Sequence, residues 1–374
     1  MQVHRGPQQQ GERSHLASRL AQMGVLHKHA EEGGLESWWQ SLKDTKDGAE
    51  LWSSHTHLRT KTPADLKYHL PVVLHEDAVP ISKHQSAYVR SWSSILGMGK
   101  ETDTKYMICS YLKAVSDHPD RSWPLVLASF DELANPSPGT WGVIVLFVTG
   151  DLDFVCNDLG LPHFNSNQPC ALCCANVSDK PHNNDHNDAR WRNALQTNDE
   201  FKAALRRPLH PLVAWHPFSR FTYRLDLLHL LDHHGVASHV VANVIAMHVE
   251  QASDVVPGES QETRLRFIND DIRGFYTDRR VQNRMPPLKM SNLYKDGFPE
   301  LHGSAVKAVN TRALVPYAMC LQERAAAADP SAVNKHCLKV VQSLNDAIEL
   351  MYAASYFLTE DEGKSWTGFC IVWV

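Results

Sequence analysis

Trp141-Gly-Val-Ile-Val-Leu-Phe-Val-Thr-Gly150-Asp151-Leu-Asp153 decides how the rest of the chain is read. Val143 to Val148 is an unbroken apolar run far too short to span a membrane. Its length and β-branched content predict a strand buried on both faces, in a sheet covered by helices. Thr149-Gly150 ends the run and Asp151 follows directly. A carboxylate there has two readings. It can be an acid held at the open end of a rigid strand, where catalytic groups often sit. It can equally cap the turn that follows.

Working back from this strand, Tyr68-His-Leu-Pro-Val-Val-Leu74 reads as a short strand that ends at His75-Glu76-Asp77. Asp77 is therefore expected at a strand end, as Asp151 is. Ala87 to Leu96 alternates apolar and polar residues, the period of a half-exposed strand. Gly97-Met-Gly99 and the charged residues after it predict a hairpin turn into a third strand, Lys105 to Leu112. Val126 to Leu133 is expected to be helical, stopped by Asn135-Pro136-Ser-Pro138-Gly139. The order is strand, strand, strand, helix, strand. It resembles the ribonuclease-H-like pattern, in which strands one and four are neighbours. Asp77 and Asp151 would then meet across 74 positions of sequence. Two converging carboxylates suit Mg²⁺ or Mn²⁺, hard cations that prefer oxygen ligands.

Beyond Asp151 the chain reaches Pro169-Cys170-Ala-Leu-Cys173-Cys174. The Cys-x-x-Cys spacing lets two thiolates take adjacent corners of a zinc tetrahedron. The remaining Zn²⁺ ligands would come from Cys174, His163, His182 or His186. A redox pair or two free cysteines are the alternatives. Further on, Tyr223-Arg-Leu-Asp226-Leu-Leu-His229-Leu-Leu-Asp232-His233 leads into a long apolar helix, Val236 to Val249. Read as one helix, Asp226, His229 and His233 fall on one face, a pattern that can serve a metal or a phosphate.

Before the sheet, residues 1–65 read as a polar, helical lead-in. Leu16, Leu20, Met23 and Leu26 are at helical spacing, and Trp38-Trp39 and Leu42 start a second helix. His55-Thr-His57 carries no recognisable chemistry in sequence. The whole chain of 374 residues has ordinary hydrophobic (43%) and charged (21%) content, enough for two or three domains. It lacks a membrane-length apolar run and an N-terminal secretory pattern. Eight cysteines in this length exclude a disulfide scaffold and favour a reducing compartment, nuclear or cytoplasmic. A net charge of −5 gives no global attraction for nucleic acid, so DNA binding would need local patches. Arg206-Arg207, Arg264, Arg266, Arg279-Arg280, Arg284 and Lys289 are the candidates, interleaved with acids such as Asp270-Asp271.

Three blocks together resemble the transposases of CACTA (En/Spm-type) DNA transposons, over about residues 70–320. They are Phe147-Val-Thr-Gly-Asp151 through Pro169-Cys170-Ala-Leu-Cys173, Asp226-Leu-Leu-His229 with the helix after it, and Lys307-Ala-Val-Asn-Thr-Arg312-Ala-Leu-Val-Pro316. The resemblance implies a ribonuclease-H-like core with an Asp-Asp-Glu metal site, carried onto Asp77 and Asp151. It also implies an inserted cysteine segment (Cys170, Cys173) and a motif mapped to Asp226 and His229. No motif selects the third acid, although Glu323 and Glu349 lie on late helices.

The expected architecture is α/β: a ribonuclease-H-like mixed sheet with flanking helices, interrupted by a small zinc-binding insertion. Its parts are the lead-in (1–65), the first half of the core (66–160), the cysteine/histidine insertion (161–222) and a helical second half (223–374). The expected partner is transposon-end DNA, without a membrane, and with self-association left open. Because the chain reads as a piece of a longer frame, it is expected to bind Mg²⁺ or Mn²⁺ yet show little strand transfer alone. Two other readings stand beside this one: a non-catalytic DNA- or protein-binding remnant, and a metal-dependent phosphoester hydrolase using the Asp226/His229/His233 face.

Overall fold

A computed structural model of the chain describes residues 35–82, 85–97, 105–112, 122–163, 166–173, 175–176, 195–205, 209–224, 226, 228–233, 235–353 and 361. The chain is α/β and forms two compact units, residues 1–225 and 226–374.

The first unit is built on a four-stranded mixed sheet. β1 (His69–Ser82) pairs antiparallel with β2 (Gln85–Ser94), which pairs antiparallel with β3 (Lys105–Leu112). β4 (Gly142–Gly150) lies on the other side of β1 and runs parallel to it, giving the order β3-β2-β1-β4. β4 is buried along nearly its whole length, as its apolar run requires. Each of its large side chains contributes roughly 1.5–3 kcal/mol by leaving water. Its outer edge is covered: the Val148 amide donates to Thr222 O (2.8 Å) and the Arg224 amide to Val148 O (2.9 Å), a parallel bridge through Tyr223. A covered edge protects a buried strand from pairing with another chain.

Helices flank this sheet. α1 (Glu36–Asp44) and α2 (Lys46–Ser54) are separated by Thr45, whose hydroxyl accepts from the Gly48 amide and caps α2. Trp39 from α1 donates its indole N–H to His69 O (3.0 Å), and His55 Nε2, just past α2, lies 2.9 Å from Val145 O of β4. The segment from residue 35 therefore packs on the sheet. α3 (Trp123–Leu133) precedes β4, with Pro124 in its first turn. Gly142 opens β4 where a Cβ would sit 2.6 Å from the His69 ring, so only glycine fits that approach. The short helices α4 (Asn198–Ala204) and α5 (Pro211–Ala214) follow; Thr197 and Glu200 form a capping box on α4.

Contrary to the expectation from sequence, Asp77 does not end a strand. β1 runs on to Ser82, paired with β2 alone, and Asp77 sits inside it opposite Val89. What ends near Asp77 is the pairing with β4, whose last partners are Glu76 and Gly150. The outer ribbon continues because β2 supplies backbone partners after β4 has turned away.

The second unit is helical. Its long elements are α6 (Val236–Glu250), α7 (Gln261–Asp278), α9 (Ala308–Ala328) and α10 (Ala332–Ala353), with a one-turn helix α8 (Met290–Leu293) before a two-residue hairpin, β5 (Tyr294–Lys295) and β6 (Phe298–Pro299). Their core repeats at helical spacing: Val241, Ile245 and Val249 on α6; Leu265, Ile268 and Ile272 on α7; Val341, Leu344 and Ile348 on α10. Arg264, a candidate DNA contact in sequence, is buried instead. Its guanidinium donates to Val249 O (2.6 Å) and Glu250 O (3.1 Å), satisfying carbonyls at the C-terminus of α6, and to Gly258 O (2.7 Å) in the loop that follows. No helix among the described residues is long and apolar enough to cross a membrane.

Candidate functional site

The parallel pairing of β1 with β4 ends at Glu76 and Gly150, and the two sequence-predicted aspartates, Asp77 and Asp151, are the next residue of each strand's path. Both residues are half-buried. Asp151 Oδ1 accepts the Phe154 amide (2.7 Å) at the start of a π-helical turn, Phe154–Asp158. The capping role read from the sequence is therefore real, and it orients the carboxylate while leaving Oδ2 outside that bond. Gly150 permits the tight path: a Cβ there would meet Glu76 O at 2.6 Å and the Phe154 ring at 2.4 Å.

Directly before Asp77, a charged network fills the sheet's interior. Glu76 and Arg90 are cross-strand partners, each essentially without solvent exposure. Arg90 Nε donates to Glu76 Oε2 (2.5 Å), Arg90 Nη2 to the Tyr111 hydroxyl (2.8 Å), and Tyr111 in turn to Glu76 Oε1 (3.0 Å). Arg90 also bonds Ser122 and stacks over Trp123 at 4.2 Å. Burial and the Glu76 charge push the Tyr111 phenol well above its ordinary range, so it stays a donor. His210 packs edge-on to Trp123 and Phe154, and its Nδ1 accepts the Leu212 amide. Burial, helped by Arg90, lowers its pKa to about 3, so it is neutral. Sequence alternation did not reveal this network, because Glu76 and Arg90 occupy core positions where charge is rare.

In the cysteine segment, Cys173 is buried and Cys170 half-buried. The Leu172 amide donates to Cys170 Sγ (3.3 Å), and Leu172 O accepts from Gln196 beside a Cys173–Leu195 bridge. Cys174, His182 and His186 lie outside the described residues, as do Arg206-Arg207. His163 is described and half-buried.

In the second unit, the expected Asp226/His229/His233 face takes another form. Leu228–Asp232 is a π-helical turn, which winds more residues per turn than an α-helix. Gly235, in extended backbone, then breaks the path, and α6 starts at Val236. A Cβ at Gly235 would meet Leu230 O at 2.0 Å. The i, i+3, i+7 alignment of a single α-helix is therefore not formed. The buried acid of this segment is Asp232, bonded by Arg312 Nε (2.7 Å) from α9. Glu323 and Glu349 are exposed on α9 and α10.

A cluster that sequence reasoning missed lies elsewhere in the first unit. His57 Nε2 is 3.1 Å from Asp131 Oδ1 on α3, and His216 Nε2 is 3.9 Å from the same oxygen. Trp215 Nε1 donates to Asp131 Oδ1 (2.9 Å). His57, Asp131 and His216 could together hold a metal ion. Three ligands drawn from positions 57, 131 and 216 leave no spacing signature; the one hint was His55-x-His57.

The chain matches no protein-family model and no curated protein.

Proposed function

We propose that this chain is the catalytic region of a CACTA-type DNA transposase, with a ribonuclease-H-like core in which Asp77 and Asp151 share a divalent cation. The observation that carries the reading is the β3-β2-β1-β4 order with β4 parallel to β1. Two carboxylates that converge just past the last β1–β4 pair would suit Mg²⁺ or Mn²⁺, which take oxygen ligands and keep several waters. A cation held there would polarise a scissile phosphate and lower the pKa of the attacking water or hydroxyl. Asp151 is held by the Phe154 amide, and Asp77 by the ladder with β2. Cys170 and Cys173 would hold structural Zn²⁺, supported by the amide bond to Cys170 Sγ. Exposed Arg266, Arg279, Arg280, Arg284 and Lys289 are the candidate phosphate contacts.

A second reading, a non-catalytic DNA- or protein-binding remnant, is favoured by one observation. Among the described residues of the first unit, no third acid forms a metal-holding group with Asp77 and Asp151. Nicking of supercoiled plasmid in Mn²⁺ separates the two. Wild-type nicking that Asp77→Asn and Asp151→Asn each abolish supports the transposase reading. Equal low background in all three proteins supports the remnant.

A further inference from the structure

We infer that His57, Asp131 and His216 form a second metal site, binding a borderline divalent transition ion, Zn²⁺ foremost, through two imidazoles and a carboxylate with a fourth position open to water. The inference does not depend on the transposase reading.

Geometry carries it. Ligands at about 2.0–2.2 Å from a tetrahedral ion stand about 3.4 Å from one another. The two nitrogen-to-oxygen separations, 3.1 and 3.9 Å, bracket that edge. The imidazoles meet edge to face with centroids 5.0 Å apart, so both can turn a nitrogen toward one point. The carboxylate is already oriented by the Trp215 indole N–H, the kind of outer bond that fixes a metal-bound carboxylate. The exposure is graded. His57 is 7% exposed, Asp131 36% and His216 52%, so an ion enters from the solvent side against a fixed inner ligand.

Chemistry selects the metal. Two imidazoles and one carboxylate suit Zn²⁺ and its neighbours, whereas Mg²⁺ and Ca²⁺ prefer oxygen alone. His57 is buried and already turns Nε2 toward Asp131 Oδ1 at 3.1 Å, so the inner ligand is held in place before an ion arrives. Lys61, the nearby cation, is turned to Asn135 Oδ1 at 3.1 Å. An ion at this point would tie together the turn after α2, helix α3 and the turn after α5, three segments far apart in sequence.

The test is titration of the metal-stripped full chain with Co²⁺ in excess Mg²⁺, which occupies oxygen-only sites, read by visible absorption and followed by Zn²⁺ competition. The expected result is a Co²⁺ site with a d–d band but no thiolate charge-transfer band, displaced by Zn²⁺. Any ion on Cys170 and Cys173 carries the charge-transfer band and is counted separately. His216→Ala, at an exposed position that leaves the fold intact, should weaken the thiolate-free site more than tenfold. Trp215→Phe should weaken it about tenfold to a hundredfold. Neither should alter the thiolate band. The inference is overturned if all bound Co²⁺ carries the thiolate band, or if His216→Ala binds Co²⁺ as the parent does.

Discussion

The two units spend their buried polar groups differently. The helical unit has an apolar core, and its buried charges serve the backbone or each other: Arg264 caps α6, and Asp232 pairs with Arg312. The sheet unit buries an ion pair with a tyrosine between β1 and β2, and four histidines, His55, His57, His69 and His210. Buried charge is expensive, and a fold retains it only where each group is matched. The sheet unit is thus the one whose interior is set by polar geometry. Asp77, Asp151 and the His57 cluster all lie in that unit.

Arg90→Met should break that difference most strongly. It strands the Glu76 carboxylate in the core and should destabilise the sheet unit by about 3–5 kcal/mol. Adding Glu76→Leu should recover most of the loss. Urea unfolding followed by tryptophan fluorescence reads this unit selectively, because only Trp366 and Trp373 lie beyond residue 225. A double variant no more stable than Arg90→Met would show that the pair is not a closed unit.

In the helical unit the matching test is Arg264→Ala. It removes three charge-assisted bonds to carbonyls and should cost about 2–3 kcal/mol. Far-UV circular dichroism against urea is the measurement. A change within error would mean that water caps α6 equally well.

Acid should separate the units further. His210 has a folded pKa of about 3 against about 6.5 unfolded. The unfolded state therefore binds the extra proton below pH 6.5, and stability falls as pH drops until it passes about 3. The slope from this group is about 1.4 kcal/mol per pH unit. His69, lowered to about 4 by burial, acts in the same direction above that value. Fluorescence-detected stability between pH 6 and 4 should fall steeply in the wild type and less steeply in His210→Gln. Equal slopes would contradict the burial argument.

Much of the sheet was legible in sequence. The apolar run of β4, the alternation of β2 and the bounds of β3 followed from residue pattern, because burial on one or both faces writes itself into the order of side chains. The start of α6 after Gly235 was legible for the same reason. The length of β1 was not: once β4 leaves, the strand is held by backbone bonds to β2, which carry no side-chain signal. Nor were Glu76–Arg90 or His57–Asp131–His216, whose members are brought together only by the completed fold.

The smallest stability effect is expected at Asp151. Asp151→Ala removes the cap on the Phe154 turn and should cost about 1 kcal/mol, whereas Asp151→Asn keeps an oxygen acceptor there and should cost much less. That contrast makes Asp151→Asn the sharpest probe of the central claim, that Asp77 and Asp151 share a cation. The measurement is Mn²⁺ binding to the full chain by electron paramagnetic resonance, for wild type, Asp77→Asn and Asp151→Asn. The account predicts a wild-type site that either substitution weakens by more than tenfold while the thermal stability of Asp151→Asn stays near that of wild type. Mn²⁺ binding that is the same in all three proteins would contradict it and leave Asp151 as a helix cap.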